Sequence, residues 1–104
     1  MASTRLEALK GLVAQQPSDS FLRYGLAMEY RNSGDLESSI AEFRAVTAAN
    51  PDYAAAYYQG GQTLELAGRP DEARELYVKG IEVTTRKGDG HARSELQAAL
   101  DLLG

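Results

Sequence analysis

The chain has 104 residues, a formal net charge of −4 and no cysteine. That length fits one compact domain with a continuous core, and the missing cysteines exclude disulfides, thiolate metal sites and cysteine nucleophiles. The acidic balance argues against a phosphate-binding surface, which needs clustered Lys and Arg, so no nucleic-acid partner is expected. No apolar stretch approaches the roughly 18 residues of a membrane-spanning helix. Arg5, Glu7 and Lys10 also interrupt the leucines near the start, where a secretory signal needs an unbroken apolar run. No membrane partner and a cytoplasmic location are the expectations.

Alanine, leucine and glutamate are plentiful and β-branched runs are absent, so helix is favoured nearly everywhere. The first helix is predicted over residues 3–16, with the Thr4 hydroxyl capping it and Glu7 reciprocating. It stops before Pro17, because the residue preceding proline is pushed out of the α region. The second runs from about Ser20 to Ser33 and ends at Gly34, the residue best able to take a left-handed cap. Asp35 caps the third, which ends near Asn50. The fourth spans about Tyr53 to Ala67, with Gly68 as its cap. Pro70 suits the first turn of the fifth, where its missing N–H has no partner to lose. Lys87, Gly88, Asp89 and Gly90 break the chain once more. A last helix over 90–103 places Ala92, Leu96, Ala99 and Leu103 on one stripe, with Arg93, Gln97 and Asp101 opposite.

These elements repeat. Pro17 and Pro51 stand 34 residues apart, and at the same offset Tyr24 meets Tyr58, Glu37 meets Asp71, and Phe43 meets Tyr77. Thirty-four residues is the length of a helix–turn–helix tetratricopeptide (TPR) unit. The residues resemble that family's pattern. Repeat 1 (20–53) reads Arg23, Leu26-Ala27, Tyr30, then Ser39, Phe43 and Pro51. Its one departure is Arg23, for which Phe21 or Tyr24 supplies the ring. Repeat 2 (54–87) reads Tyr57, Gly60-Gly61, Leu64, then Ala73 and Tyr77. It departs at Gly60, where Leu is usual, and at Thr85, where Pro is usual, leaving the fifth helix free to run on to Arg86. Leu9, Leu12 and Val13 precede Pro17 as Phe43, Val46 and Thr47 precede Pro51, which makes the first segment the second half of an incomplete repeat. The resemblance implies an all-α, right-handed stack of about six helices in one domain, closed by a solvating cap at 90–103.

No constellation of catalytic or metal-binding residues emerges. His91 has no evident partner or pocket. Asp71, Glu72 and Glu75 fall on a first turn, where acidic residues complement the helix dipole. Gly60 and Gly61 lie in a helical pattern with no Walker lysine. They read as packing residues, with Gly61 at the close approach of two helices, Gly80 extending it, and a bulky side chain of the last helix filling the space at Gly60. The expectation is no enzyme, no cofactor and no metal. Tyr30, Tyr57 and Tyr77 occupy core slots of the repeat.

Phe21, Tyr24 and Met28 form a further stripe on the second helix, with Tyr58 and Gln62 following on the fourth. In the resembled family these slots line a concave groove for extended peptides or partner helices, and the five residues are the candidate protein-binding site. One use of that groove grips a terminal carboxylate with Lys, Asn and Arg. Here the slots hold Tyr24, Met28, Gln59 and Gln62, so that clamp is absent and a more aromatic ligand is implied. The function expected is a protein-interaction scaffold. The alternative is a self-assembly module that forms homo-oligomers through its terminal helices.

Overall fold

A computed structural model describes residues 4–104. Six helices follow one another: α1 Thr4–Gln15, α2 Ser20–Asn32, α3 Leu36–Ala49, α4 Ala54–Leu66, α5 Pro70–Lys87 and α6 Gly90–Leu103. Thr4 is already helical and is not the cap, so the capping position lies outside the described residues. Asp19, Asp35 and Asp89 cap α2, α3 and α6, each carboxylate accepting a backbone N–H three residues on, from Leu22, Ser38 and Ala92. The turns inside the two repeats are built alike. Gly34 and Gly68 take positive φ (88° and 74°), and the next N–H reaches back over each turn, Asp35 to Tyr30 O and Arg69 to Leu64 O. Only glycine adopts that backbone without strain. With threonine and not proline at position 85, α5 continues to Lys87.

Consecutive helices pack in antiparallel pairs, and α4 also touches α6. The pattern residues of repeat 2 are all buried, with Tyr57, Leu64, Ala73 and Tyr77 at 1% exposure or less. The α4–α5 seam is reciprocal. A side chain at Gly61 would meet the Tyr77 ring, and one at Gly80 would meet Tyr57 and Leu96. Gly80 thus extends the close approach at Gly61 along the same seam, each glycine receiving a ring from the other helix. The space at Gly60 is taken by Leu76 and Phe43, from α5 and α3, and not by the last helix as expected. In repeat 1 the Ser39 hydroxyl donates to Ala27 O at 2.7 Å, so a small polar residue satisfies itself at the close approach. Tyr30 is only half-buried, which corrects its placement in the core. The ring that replaces the missing aromatic at Arg23 is Tyr24, set edge-on to Phe43 at 5.8 Å. Arg23 instead pairs with Glu42 of α3 at 2.8 Å, both four-fifths buried.

α6 closes the C-terminal end. Leu96 and Ala99 are buried in the same cluster as Tyr57, Leu64, Leu76 and Tyr77, and Leu100 and Leu103 pack against it. Its outer side holds Gln97 Nε2 donating to Asp101 Oδ1 at 3.0 Å, as a solvating end requires.

Candidate functional site

The first helices of the repeats, α2 and α4, lie side by side, and α6 follows α4. Arg31 on α2 donates to Gln59 Oε1 on α4 at 2.6 Å, which fixes the spacing between them. The second helices are cross-tied separately, by Arg44 with Glu72 and by Arg69 with Glu37, while Glu72 also pairs with Arg69 within the first turn of α5. Those two carboxylates raise the proton affinity of the Arg69 guanidinium further.

Along α2 and α4 the five candidate residues divide. Phe21 is 74% exposed and lines a hollow of about 410 Å³ between α1 and α2 with Leu9, Tyr24, Gly25 and Met28. Tyr24 is not surplus to packing as expected. Besides Phe43, its ring lies 5.3 Å from Tyr53, and it packs with Met28 against the cluster of Ala27, Phe43, Val46 and Ala56. Burial, and secondarily the neighbouring Tyr53, raises the pKa of its hydroxyl. Tyr58 sits one repeat along, in a separate hollow of about 320 Å³ between α4 and α6, with Ala54, Ala55, Gln59, Asp89 and Glu95. Gln62 is committed elsewhere: its amide donates to the Tyr77 hydroxyl at 2.6 Å, while that hydroxyl donates to Glu65. Burial, followed by the Glu65 carboxylate, holds the Tyr77 proton tightly.

Two features escaped the sequence reading. Ala55 belongs to the same hollow as Tyr58 and Gln59, and its position one turn before Tyr58 was the available signal. The Gln62–Tyr77–Glu65 chain joins residues 15 and 12 apart, across a turn whose geometry periodicity does not supply. Elsewhere, His91 is exposed, with Nε2 3.8 Å from Glu95. Among the described residues no group of three His, Asp or Glu side chains is placed to hold a metal ion, no buried side-chain polar atom lacks a hydrogen-bond partner, and no helix is long and apolar enough to cross a membrane.

The tetratricopeptide-repeat family model matches residues 24–82, more than half of the chain. A TPR repeat-containing protein of Pseudomonas aeruginosa is 26% identical over 95 residues, covering 91% of this chain and 90% of that one. A tetratricopeptide repeat domain protein from Salinibacter ruber, solved in solution, is 36% identical with a TM-score of 0.79, over 84% of this chain and 88% of that one. The Yersinia enterocolitica type III secretion translocator chaperone SycD superposes with a TM-score of 0.85 at 14% identity, over 94% of this chain and 68% of that one; this likeness is one of fold alone. The chain belongs to the tetratricopeptide-repeat family.

Proposed function

We propose that this tetratricopeptide-repeat chain is a protein-interaction scaffold that receives a peptide or partner helix on the face formed by α2, α4 and α6. The observation that carries this reading is a pair of hollows beside these helices, one between α1 and α2 with the exposed Phe21 ring and one between α4 and α6 with the half-buried Tyr58 ring. Rings held by a rigid scaffold give contact area at little cost in conformational entropy, and such anchors dominate binding energies. Tyr24 and Met28 support the first hollow from below. Gln59 presents an amide already oriented by Arg31, suited to a backbone group of an extended ligand.

Phe21 allows the cleaner test, because so exposed a ring contributes little to folding. Phe21→Ala is expected to leave the melting temperature within about 2–4 °C, since surface changes of this kind stay within about 0.5 kcal/mol. The same change is expected to weaken a captured partner about tenfold or more, as loss of an aromatic anchor does. Tyr58→Ala should weaken it similarly, with a modest stability cost from its contact with the core. Unchanged affinity in both variants, measured by titration calorimetry, would place binding on another surface.

A further inference from the structure

The hollow between α4 and α6 differs in charge from the one beside Phe21. In the latter the lining charges, Arg5 and Glu29, offset each other at 3.6 Å. The α4–α6 hollow is lined by the small Ala54, Ala55 and Ala92, by the half-buried Tyr58 ring, and by two carboxylates, Asp89 and Glu95. No lysine or arginine lines it. The neighbouring cations are committed elsewhere. Arg93 donates to Thr85 of α5 at 3.0 Å, Arg86 and Lys87 both sit on Asp52, and Arg31 reaches no further than Gln59. Glu37, Glu42 and Glu72 each hold an arginine. Among the described residues the one ion-pair partner of Asp89 or Glu95 is the exposed His91 imidazole, 3.8 Å from Glu95. Asp89 caps α6 through one oxygen and keeps its charge.

We infer that this hollow receives an arginine side chain of the protein ligand; the inference rests on the scaffold reading above and names the chemistry of its ligand. Charge complementarity selects the occupant. A ligand that covered the two carboxylates with an apolar or acidic side chain would strip their water and return no bond. The alanine lining suits a methylene stem, because long basic side chains bury their stems and keep their heads in polar surroundings. The head then lies between Tyr58 and Glu95. A guanidinium placed there stacks on the ring and donates in its own plane to the carboxylate, two contacts that the compact ammonium of lysine does not combine as well. Helix N-termini repel cations, but that field falls off within the first turn. Tyr58 and Glu95 both stand past the first turns of α4 and α6, and Asp89 offsets the end of α6.

Nuclear magnetic resonance titration of the full chain with single-residue probes tests this without a captured partner. The probes are N-acetyl-arginine methylamide, its lysine counterpart, and the uncharged, nearly isosteric citrulline compound. Ionic strength is held constant and the pH is about 8, above the ordinary histidine range. The arginine probe is expected to shift the amides of Ala55, Tyr58, Ala92 and Glu95 and to saturate, the lysine probe to bind more weakly, and the citrulline probe to leave them unmoved. Glu95→Gln removes one charge with little change of shape, and Asp89→Asn removes the other while keeping a capping side chain. Each is expected to weaken the arginine probe about threefold to fivefold, as loss of a partly exposed charge pair does, and the two together about tenfold. Helicity and melting confirm folding, and if the double variant fails there, Glu95→Gln alone carries the comparison. An equal response to citrulline, lysine binding as tight as arginine, shifts spread over the acidic surface without saturation, or undiminished arginine binding by the folded variants would each overturn the inference. No partner takes part, so this outcome is separate from the scaffold reading, which the Phe21→Ala and Tyr58→Ala calorimetry decides.

Discussion

Deleting residues 88–104 is expected to cost the chain its stable monomeric fold. α6 inserts Leu96 and Ala99 into the larger core cluster and lays Leu100 and Leu103 against it. Full burial of a leucine contributes roughly 1.5–3 kcal/mol, and the three leucines together, two of them only partly covered, contribute about 3–6 kcal/mol. Domains of this size are stable by about 5–15 kcal/mol in all, so a large part of the total resides in this helix. Its loss also bares Val83, Tyr57 and the cleft at Gly80, whose nearest neighbours include Leu96 Cδ1. At about 4–8 °C per kcal/mol, thermal unfolding should move down by about 12 °C or more, or the truncated chain should associate through the exposed face. A truncated chain that remains monomeric and melts where the full chain does would show that α6 is an appendage.

Gly61→Leu is expected to have the largest effect of any single substitution. A Cβ at Gly61 would lie 2.2 Å from Tyr77 Cε1 and 2.6 Å from Cζ, far inside van der Waals contact. Tyr77 has nowhere to retreat, since its ring is fully buried and its hydroxyl is held by Gln62 and Glu65. Even Gly61→Ala should therefore cost about 3 kcal/mol, the upper end of ordinary overpacking, after the roughly 0.5–1 kcal/mol it gains in helix propensity. Gly61→Leu should leave no folded population. Gly60 provides the internal control. Its nearest obstacle is Leu76 Cδ2 at 2.8 Å, the far end of a flexible side chain, followed by Phe43 Cβ at 3.2 Å. Gly60→Ala should be close to neutral, and Gly60→Leu should cost about 1–3 kcal/mol. Urea unfolding ranks the series, and a Gly61→Ala chain as stable as the parent would disprove the ring-in-notch packing.

These two cases also mark what was legible beforehand. The 34-residue spacing of Pro17 and Pro51, with Gly34 recurring as Gly68 and Phe43 as Tyr77, carried the helix order and the pairing. Those residues act locally, through caps, breaks and helix faces. The identity of the neighbour at Gly60 was not legible, because it depends on how α3 and α5 converge on α4. Tyr24 was misjudged for a related reason. Both Phe21 and Tyr24 lie on the same stripe of α2, but only Tyr24 reaches Phe43 and Tyr53, a choice made by the crossing of three helices. Gln62 looked free on its helix and is bound to a hydroxyl 15 residues away. The candidate positions that remain available to a ligand are thus fewer than the stripe suggested, and Ala55 joins them.

The central claim, that partners bind on the α2–α4–α6 face, is tested most directly by position-specific photo-cross-linking. A benzophenone amino acid placed at Ala55, which is exposed beside Tyr58 in the hollow against α6, samples that face. The same probe at Val78, which is 42% exposed on α5, samples the opposite row. Both variants are irradiated in a lysate of the cells that express the protein, and adducts are resolved by mass so that self-adducts are set aside. The account predicts a discrete protein adduct from Ala55, lost when Phe21→Ala and Tyr58→Ala are added, and none from Val78. Adducts from Val78 alone, or equal yields from both positions, would contradict it.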